Sequence, residues 1–372
     1  MIGKKCVFKF WLVFILIACC AAQCAAEGTS AKGAYIMDLR SGRTLFASNE
    51  NEPMPMASTT KVMTALLALE NGDLDAPVTT GVNAYGRPGT SIYLGLDETL
   101  RLEEMLYGLL VASGNDAAVA IAEFIGGTVG QFCRMMTERA AALGAVNTRF
   151  ANPNGLPARD HYTTAKDLTL IAAEAMKHPV FREIVSTQRA SIPWEGREYM
   201  RVLKNKNTLL SDYEGATGIK TGFTKAAGRC LVFGAKRGDM EIAGTVLNCS
   251  DWFSEAARLM DVCFARYTWT EMLSSGERVG NIRIEGGQEE QAPVVIEGKL
   301  AGPVLEDEMP MMQIEYDSVI QAPQPKGKQV GTATMRIGEM ILDQKPLILG
   351  EAVLKEPSAV EKILKKWFLL PK

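Results

Sequence analysis

Apolar and polar positions change rhythm several times along this chain, and each change predicts a different element. Residues 32–46 alternate apolar and polar about a Ser41-Gly42 pair, the pattern of a β-hairpin. Residues 56–69 read as a loop that enters an apolar helix. Four further runs, 102–111, 116–124, 129–143 and 165–176, repeat their apolar positions at helical spacing. Strand patterns return at 218–223, 229–235 and 242–247, followed by a capped amphipathic helix at 250–267. A hairpin at one end, helices in the middle and strands at the other end imply an antiparallel sheet that joins both ends and is flanked by helices. This is an α/β arrangement of the α+β kind.

Beyond residue 273 the rhythm shortens. The runs 279–284, 292–300, 312–316, 331–337 and 340–347 are strand-like and separated by Gly, Pro and charge. They predict a small all-β domain over 274–355, behind a larger unit over 27–273. The last segment, 356–372, reads as an amphipathic helix: Val360, Ile363, Leu364, Trp367 and Phe368 share one face, with Lys362, Lys365 and Lys366 beside them. Such a helix suits an anionic membrane surface, and packing on the β domain is the alternative. At the other end, Lys4, Lys5 and Lys9 precede an apolar run at 10–20 and the small residues before Glu27. That is the layout of a secretory signal peptide over 1–26. A retained membrane helix, and a lipoprotein processed at Leu16-Ile-Ala-Cys19, stay open. The expected location is outside the cell, on the outer face of the cytoplasmic membrane or in the wall space.

Chemistry enters through three short strings, each occurring once and in this order: Ser58-Thr-Thr-Lys61, Ser113-Gly-Asn115 and Lys220-Thr-Gly222. Ser58 falls at the start of the helix predicted from 56–69, where backbone N–H groups point outward. Lys61, three residues on, shares its face. A serine hydroxyl needs a base, and lysine serves only if its pKa drops far below about 10.4. A second cation such as Lys220, at about 4 Å and an effective dielectric near 20, costs about 4 kcal/mol, roughly three pKa units. Ser113 would bridge the two lysines and return the proton to a leaving amine. Asn115 would orient an acyl group, while Lys220 and Thr221 would hold a carboxylate. Gly222 permits close backbone approach, and the N–H groups of Ser58 and Phe223 are the candidate oxyanion hole. With only His161 and His178 and no G-x-S-x-G string, a Ser-His-Asp hydrolase has little to work with, and His161 reads as a loop or packing residue.

These strings, with 34–46, 109–118, 152–156, 161–168, 205–210 and 218–228, resemble the D-alanyl-D-alanine carboxypeptidases, the low-molecular-mass penicillin-binding proteins. The resemblance covers residues 32–267. It implies a penicillin-binding/β-lactamase-like catalytic fold, a peptidoglycan pentapeptide substrate ending in D-Ala-D-Ala, β-lactams as inhibitors that acylate Ser58, and no metal or organic cofactor. It also favours a membrane-associating terminal helix. One departure concerns the carboxylate contact that relatives often make with arginine. This chain offers Lys206, which keeps the charge and loses the bidentate fork. Two other readings stay open. A class A β-lactamase would need a deacylating Glu in an E-x-x-L-N string, absent here, and a sensor would be acylated without turnover.

The net charge of −3 argues against nucleic acid as a partner. Loss of residues 1–26 would leave Cys133, Cys230, Cys249 and Cys263, whose apolar neighbours favour buried thiols over disulfides.

Overall fold

The computed structural model describes residues 28–360 and Ile363. The predicted signal peptide at 1–26 lies outside them, as does most of the helix predicted for 356–372. Strands β1 (Gly33–Asp38) and β2 (Thr44–Ser48) form the expected hairpin, and a 3₁₀ turn at Ala57–Thr60 leads into helix α1 (Lys61–Asn71). The pair β3 (Pro77–Thr79) and β4 (Thr99–Arg101) precedes helices α2 (Leu102–Leu110), α3 (Asn115–Gly126), α4 (Val129–Ala142), α5 (Ala165–Ala175) and α6 (Pro179–Ser186). A second hairpin, β5 (Arg189–Ile192) and β6 (Arg201–Lys204), and the single turn α7 (Leu209–Asp212) then lead to strands β7 (Ala216–Thr224), β8 (Gly228–Arg237) and β9 (Met240–Leu247). Helix α8 (Trp252–Arg266) closes the unit.

The five long strands form one antiparallel sheet in the order β2-β1-β9-β8-β7. Side-chain alternation decides its layers. Ala34, Ile36, Leu231, Phe233, Ile242 and Val246 face α8, where they pack with Ala256, Leu259 and Met260. Tyr35, Met37, Cys230, Val232, Ala243 and Leu247 face the larger helical core. Helix α1 runs through that core with every residue from Lys61 to Ala68 buried, which is why its apolar pattern wraps all round rather than forming a stripe. All four described cysteines are free and buried.

The all-β unit contains β10 (Tyr267–Leu273), β11 (Arg278–Glu285), β12 (Gln291–Ile296), β13 (Leu300–Leu305), β14 (Met311–Tyr316), β15 (Val319–Gln321), β16 (Gln329–Ile337) and β17 (Met340–Leu349). Six of these make a sheet, β14-β16-β17-β12-β11-β15, and β10 pairs with β13. That pairing carries the β ladder upstream of residue 274, where the second unit was expected to begin. The run expected as one strand at 292–300 is broken by Gly298, at φ +85°, into β12 and β13. The pairs β3/β4 and β5/β6 escaped the sequence reading because three or four residues are too few for a period of two to show.

The β1–β2 turn reaches the second unit through two arginines. Arg43, nearly buried, donates to Pro303 O at 2.7 Å, pairs with Glu308 and lies 4.9 Å over the Tyr267 ring. Arg40 bonds Asp343 at 2.8 Å and lies 5.3 Å over Trp269.

Candidate active site

Ser58 sits on the 3₁₀ turn, one residue after Ala57, whose φ of +49° is unusual for a residue with a side chain. Two hydroxyls hold this turn: Thr59 Oγ1 donates to Met56 O, and Thr60 Oγ1 donates to Ala57 O at 2.8 Å. His161 braces the second. Its Nδ1 accepts the Ala151 N–H at 3.0 Å, so the protonated nitrogen is Nε2, 2.9 Å from Thr60 Oγ1. Burial pushes the imidazole down to about 4, which keeps it neutral near pH 7. His161 therefore supports the nucleophile's turn from behind.

Lys61 is fully buried, and its Nζ makes three bonds: to Ser58 Oγ at 3.0 Å, Asn115 Oδ1 at 2.7 Å and Asn154 O at 2.7 Å. Burial, then the charge of Lys220, holds the amine well below its ordinary value, with Asp116 opposing. Lys220 is pushed down to about 7 by burial and then by Lys206, so three lysines share one electrostatic neighbourhood. Lys220 Nζ bonds Thr221 O at 3.0 Å. Strand β7 lies against the serine's turn: a Cβ on Gly222 would stand 2.9 Å from the N atoms of both Ser58 and Thr59. Phe223, next on the strand, is 62% exposed at the cleft edge.

Ser113 occupies the α2–α3 turn at φ +65° and is nearly buried. Among the described residues it makes no hydrogen bond to Lys61 or Lys220. Asn115 spends both ends of its amide internally, taking the Lys61 amine on Oδ1 and donating through Nδ2 to Pro88 O at 2.7 Å.

Three further contributors went unread in the sequence. Asp116, buried, accepts from Ser91 Oγ at 2.5 Å and from the N–H groups of Ile92 and Leu94 at 3.1 Å, which fastens the 88–94 loop to α3. Asn154 supplies a carbonyl to Lys61, and Pro153 supplies one to Thr64 Oγ1 at 2.7 Å. The Asn-Pro-Asn-Gly string was visible, but nothing in it says that its carbonyls face a buried lysine.

A serine hydroxyl, a buried amine beside it and two further lysines in the same electrostatic neighbourhood make a nucleophile–base pair with an anion-attracting wall. The sequence pattern of the D-alanyl-D-alanine carboxypeptidases matches residues 21–251, and that described as penicillin-binding protein 5, C-terminal domain, matches 267–355. The chain belongs to the D-alanyl-D-alanine carboxypeptidase family. Among similar relatives, D-alanyl-D-alanine carboxypeptidase DacF of Bacillus subtilis (strain 168) is 31% identical over 339 residues, covering 87% of this chain and 86% of the relative. D-alanyl-D-alanine carboxypeptidase DacC of Escherichia coli (strain K12) is 28% identical over 365 residues, covering 92% and 90%. Penicillin binding protein 5 from Haemophilus influenzae superposes with a TM-score of 0.69 at 26% identity, covering 89% of this chain and 99% of that one. The chain thus has the penicillin-binding-protein fold, an α/β unit with an all-β unit behind it, and is a serine hydrolase of this carboxypeptidase family.

Proposed function

We propose that this chain removes the terminal D-alanine from peptidoglycan stem pentapeptides, with Ser58 as nucleophile and Lys61 as general base. The observation that carries the reading is the buried Lys61 amine 3.0 Å from Ser58 Oγ. In the first step Ser58 Oγ bonds to the carbonyl carbon between the two D-alanines and its proton passes to neutral Lys61. The oxyanion is held by the N–H groups of Ser58 and Phe223. The C–N bond breaks, the proton reaches the departing amine through Ser113, and free D-alanine leaves. Water then attacks the ester and restores Ser58. Lys220, Thr221 and Lys206 hold the substrate carboxylate, and Asn115 positions Lys61 together with the acyl group. A β-lactam opens its ring on Ser58 by the same first step.

The direct test incubates the protein with diacetyl-Lys-D-Ala-D-Ala, measures free D-alanine, and maps a β-lactam adduct by mass spectrometry. Turnover with the adduct on Ser58 is expected. A stable adduct with no D-alanine would favour a sensor, and no adduct at all would end the serine reading.

The lysine cluster also predicts a pH profile. Free-enzyme kcat/KM requires Lys61 neutral and Lys220 charged, so it rises with pH as Lys61 loses its proton and falls as Lys220 does, near pH 7. Lys206 pushes Lys220 down, so Lys206→Ala should move the alkaline limb to higher pH. A limb that stays put or moves down would remove Lys220 from that role.

The terminal segment supports membrane association. Val360 and Ile363, the described members of its apolar face, are 65% and 57% exposed. Among the described residues no helix is long and apolar enough to cross a membrane, so attachment would be to the surface. With export through the predicted signal peptide, the location we propose is the outer face of the cytoplasmic membrane.

A further inference from the structure

The loop beside Asn115 is tied down by its backbone and holds an aromatic ring out to solvent. Asn115 N donates to Thr90 O at 2.7 Å, and the Ile92 and Leu94 N–H groups end on Asp116. Between them Tyr93 takes φ +60°, an outlying conformation for a bulky residue. Its N–H bonds Ser91 Oγ at 2.8 Å and its carbonyl receives Arg201 Nη2 at 3.3 Å, yet the residue is 75% exposed. Arg201 is fixed in turn by a buried ion pair with Glu98 at 2.8 Å, and its guanidinium lies 4.8 Å from the Trp194 ring on the β5–β6 hairpin. Trp194 meets Tyr199 edge-on at 5.8 Å, and Tyr199 is 59% exposed. Here a cleft of about 460 Å³, lined by Thr99, Pro193, Trp194 and Tyr199, opens along the hairpin tip, a volume in the range of small-ligand sites.

We propose that Tyr93, Trp194 and Tyr199 form a ledge that binds the amino-sugar strand to which the stem peptide is attached, a proposal that rests on the substrate assigned above. The exposed Tyr93 and Tyr199 rings give flat apolar faces to pyranose C–H groups at little entropic cost. The half-buried Trp194, with Arg201 at 4.8 Å and Arg197 at 5.9 Å from its ring, backs them, and Arg197 and Glu198 stand exposed for hydroxyl and amide groups. Tyr93 lies three residues, at most about 11 Å of chain, from Thr90, whose carbonyl accepts the Asn115 N–H beside the nucleophile's lysine. The Tyr93 side chain is held out to solvent by this strained backbone, where a ligand can meet it.

The test is co-sedimentation of the purified protein with insoluble glycan stripped of its peptides, compared among wild type, Tyr93→Ala, Tyr199→Ala, the double variant and Tyr93→Phe. Each alanine should weaken binding about fivefold, the double variant more, while Tyr93→Phe keeps the ring and the binding. A kinetic arm compares pentapeptide free and attached to its disaccharide. The alanine variants should lower the ratio of kcat/KM for attached over free substrate, through KM. Equal sedimentation of all variants would overturn the ledge. So would an equal fall on both substrates, which marks a structural role, or loss of self-association without loss of glycan binding, which marks an interface between copies. Sedimentation needs no hydrolysis, so a protein that binds glycan yet releases no D-alanine would refute the assigned reaction and leave the ledge standing.

Discussion

Ser58→Ala should abolish β-lactam labelling and lower D-alanine release by roughly 10⁴-fold or more, and Lys61→Met should approach the same loss with Ser58 intact. The geometry makes the two residues one device. Lys61 is fully buried, and its amine divides its contacts between the hydroxyl it serves, the Asn115 amide and the Asn154 carbonyl. Removing either half leaves a hydroxyl with no base or a base with no hydroxyl, so the double variant should be no worse than the worse single one. Acylation rates followed by intact mass, with D-alanine release in parallel, would check this. Thermal unfolding guards against simple loss of fold. Labelling that survives in Ser58→Ala would send the nucleophile elsewhere, and losses that multiply in the double variant would separate the two roles.

Much of this was legible because local rules and global fold agree. The spacing of Ser58 and Lys61 needed only helical geometry, and the sheet followed from the alternation at 32–46 and from the strand runs that became β7, β8 and β9, of which β8 and β9 are buried on both faces. What stayed hidden depends on which distant segments meet. Asp116 reads as one acidic residue after Ser113-Gly-Asn115, and only the fold brings the N–H groups of Ile92 and Leu94 to it. His161 was expected to pack and does, but its second nitrogen reaches back 101 positions to Thr60, a link no local pattern carries. Asn115 was expected to orient an acyl group, and the sequence did not show that its Oδ1 also bonds Lys61, as a buried amine needs acceptors. Ser113 was expected as a bridge between lysines. The fold holds it in a left-handed turn at the same cleft without a bond to either.

The second large effect is expected at a residue that touches no substrate. Gly155→Ala should cost about 3 kcal/mol or more of stability and lower acylation about 100-fold. The 152–156 loop is drawn tight by Asn152, whose Oδ1 accepts the Gly155 N–H at 2.7 Å and whose Nδ2 donates to Leu156 O at 2.8 Å. That tightness presses Gly155, at φ +88°, against the serine's turn. A Cβ there would lie 1.9 Å from Ala57 O and 2.8 Å from Ser58 N. The added Cβ meets backbone atoms only, so no flexible side chain can swing away. Either the 152–156 loop lifts and takes the Asn154 carbonyl off Lys61, or Ala57 shifts and Ser58 turns with it. Gly144→Ala supplies the control, because Gly144 has φ +81° and open space around its missing Cβ, so it carries the left-handed cost of about 1–2 kcal/mol and nothing more. Chemical denaturation and β-lactam acylation of both variants give the comparison. If Gly155→Ala falls no further than Gly144→Ala in either measurement, the 152–156 loop does not set the position of Ser58 and Lys61, and their pairing is fixed by α1 alone.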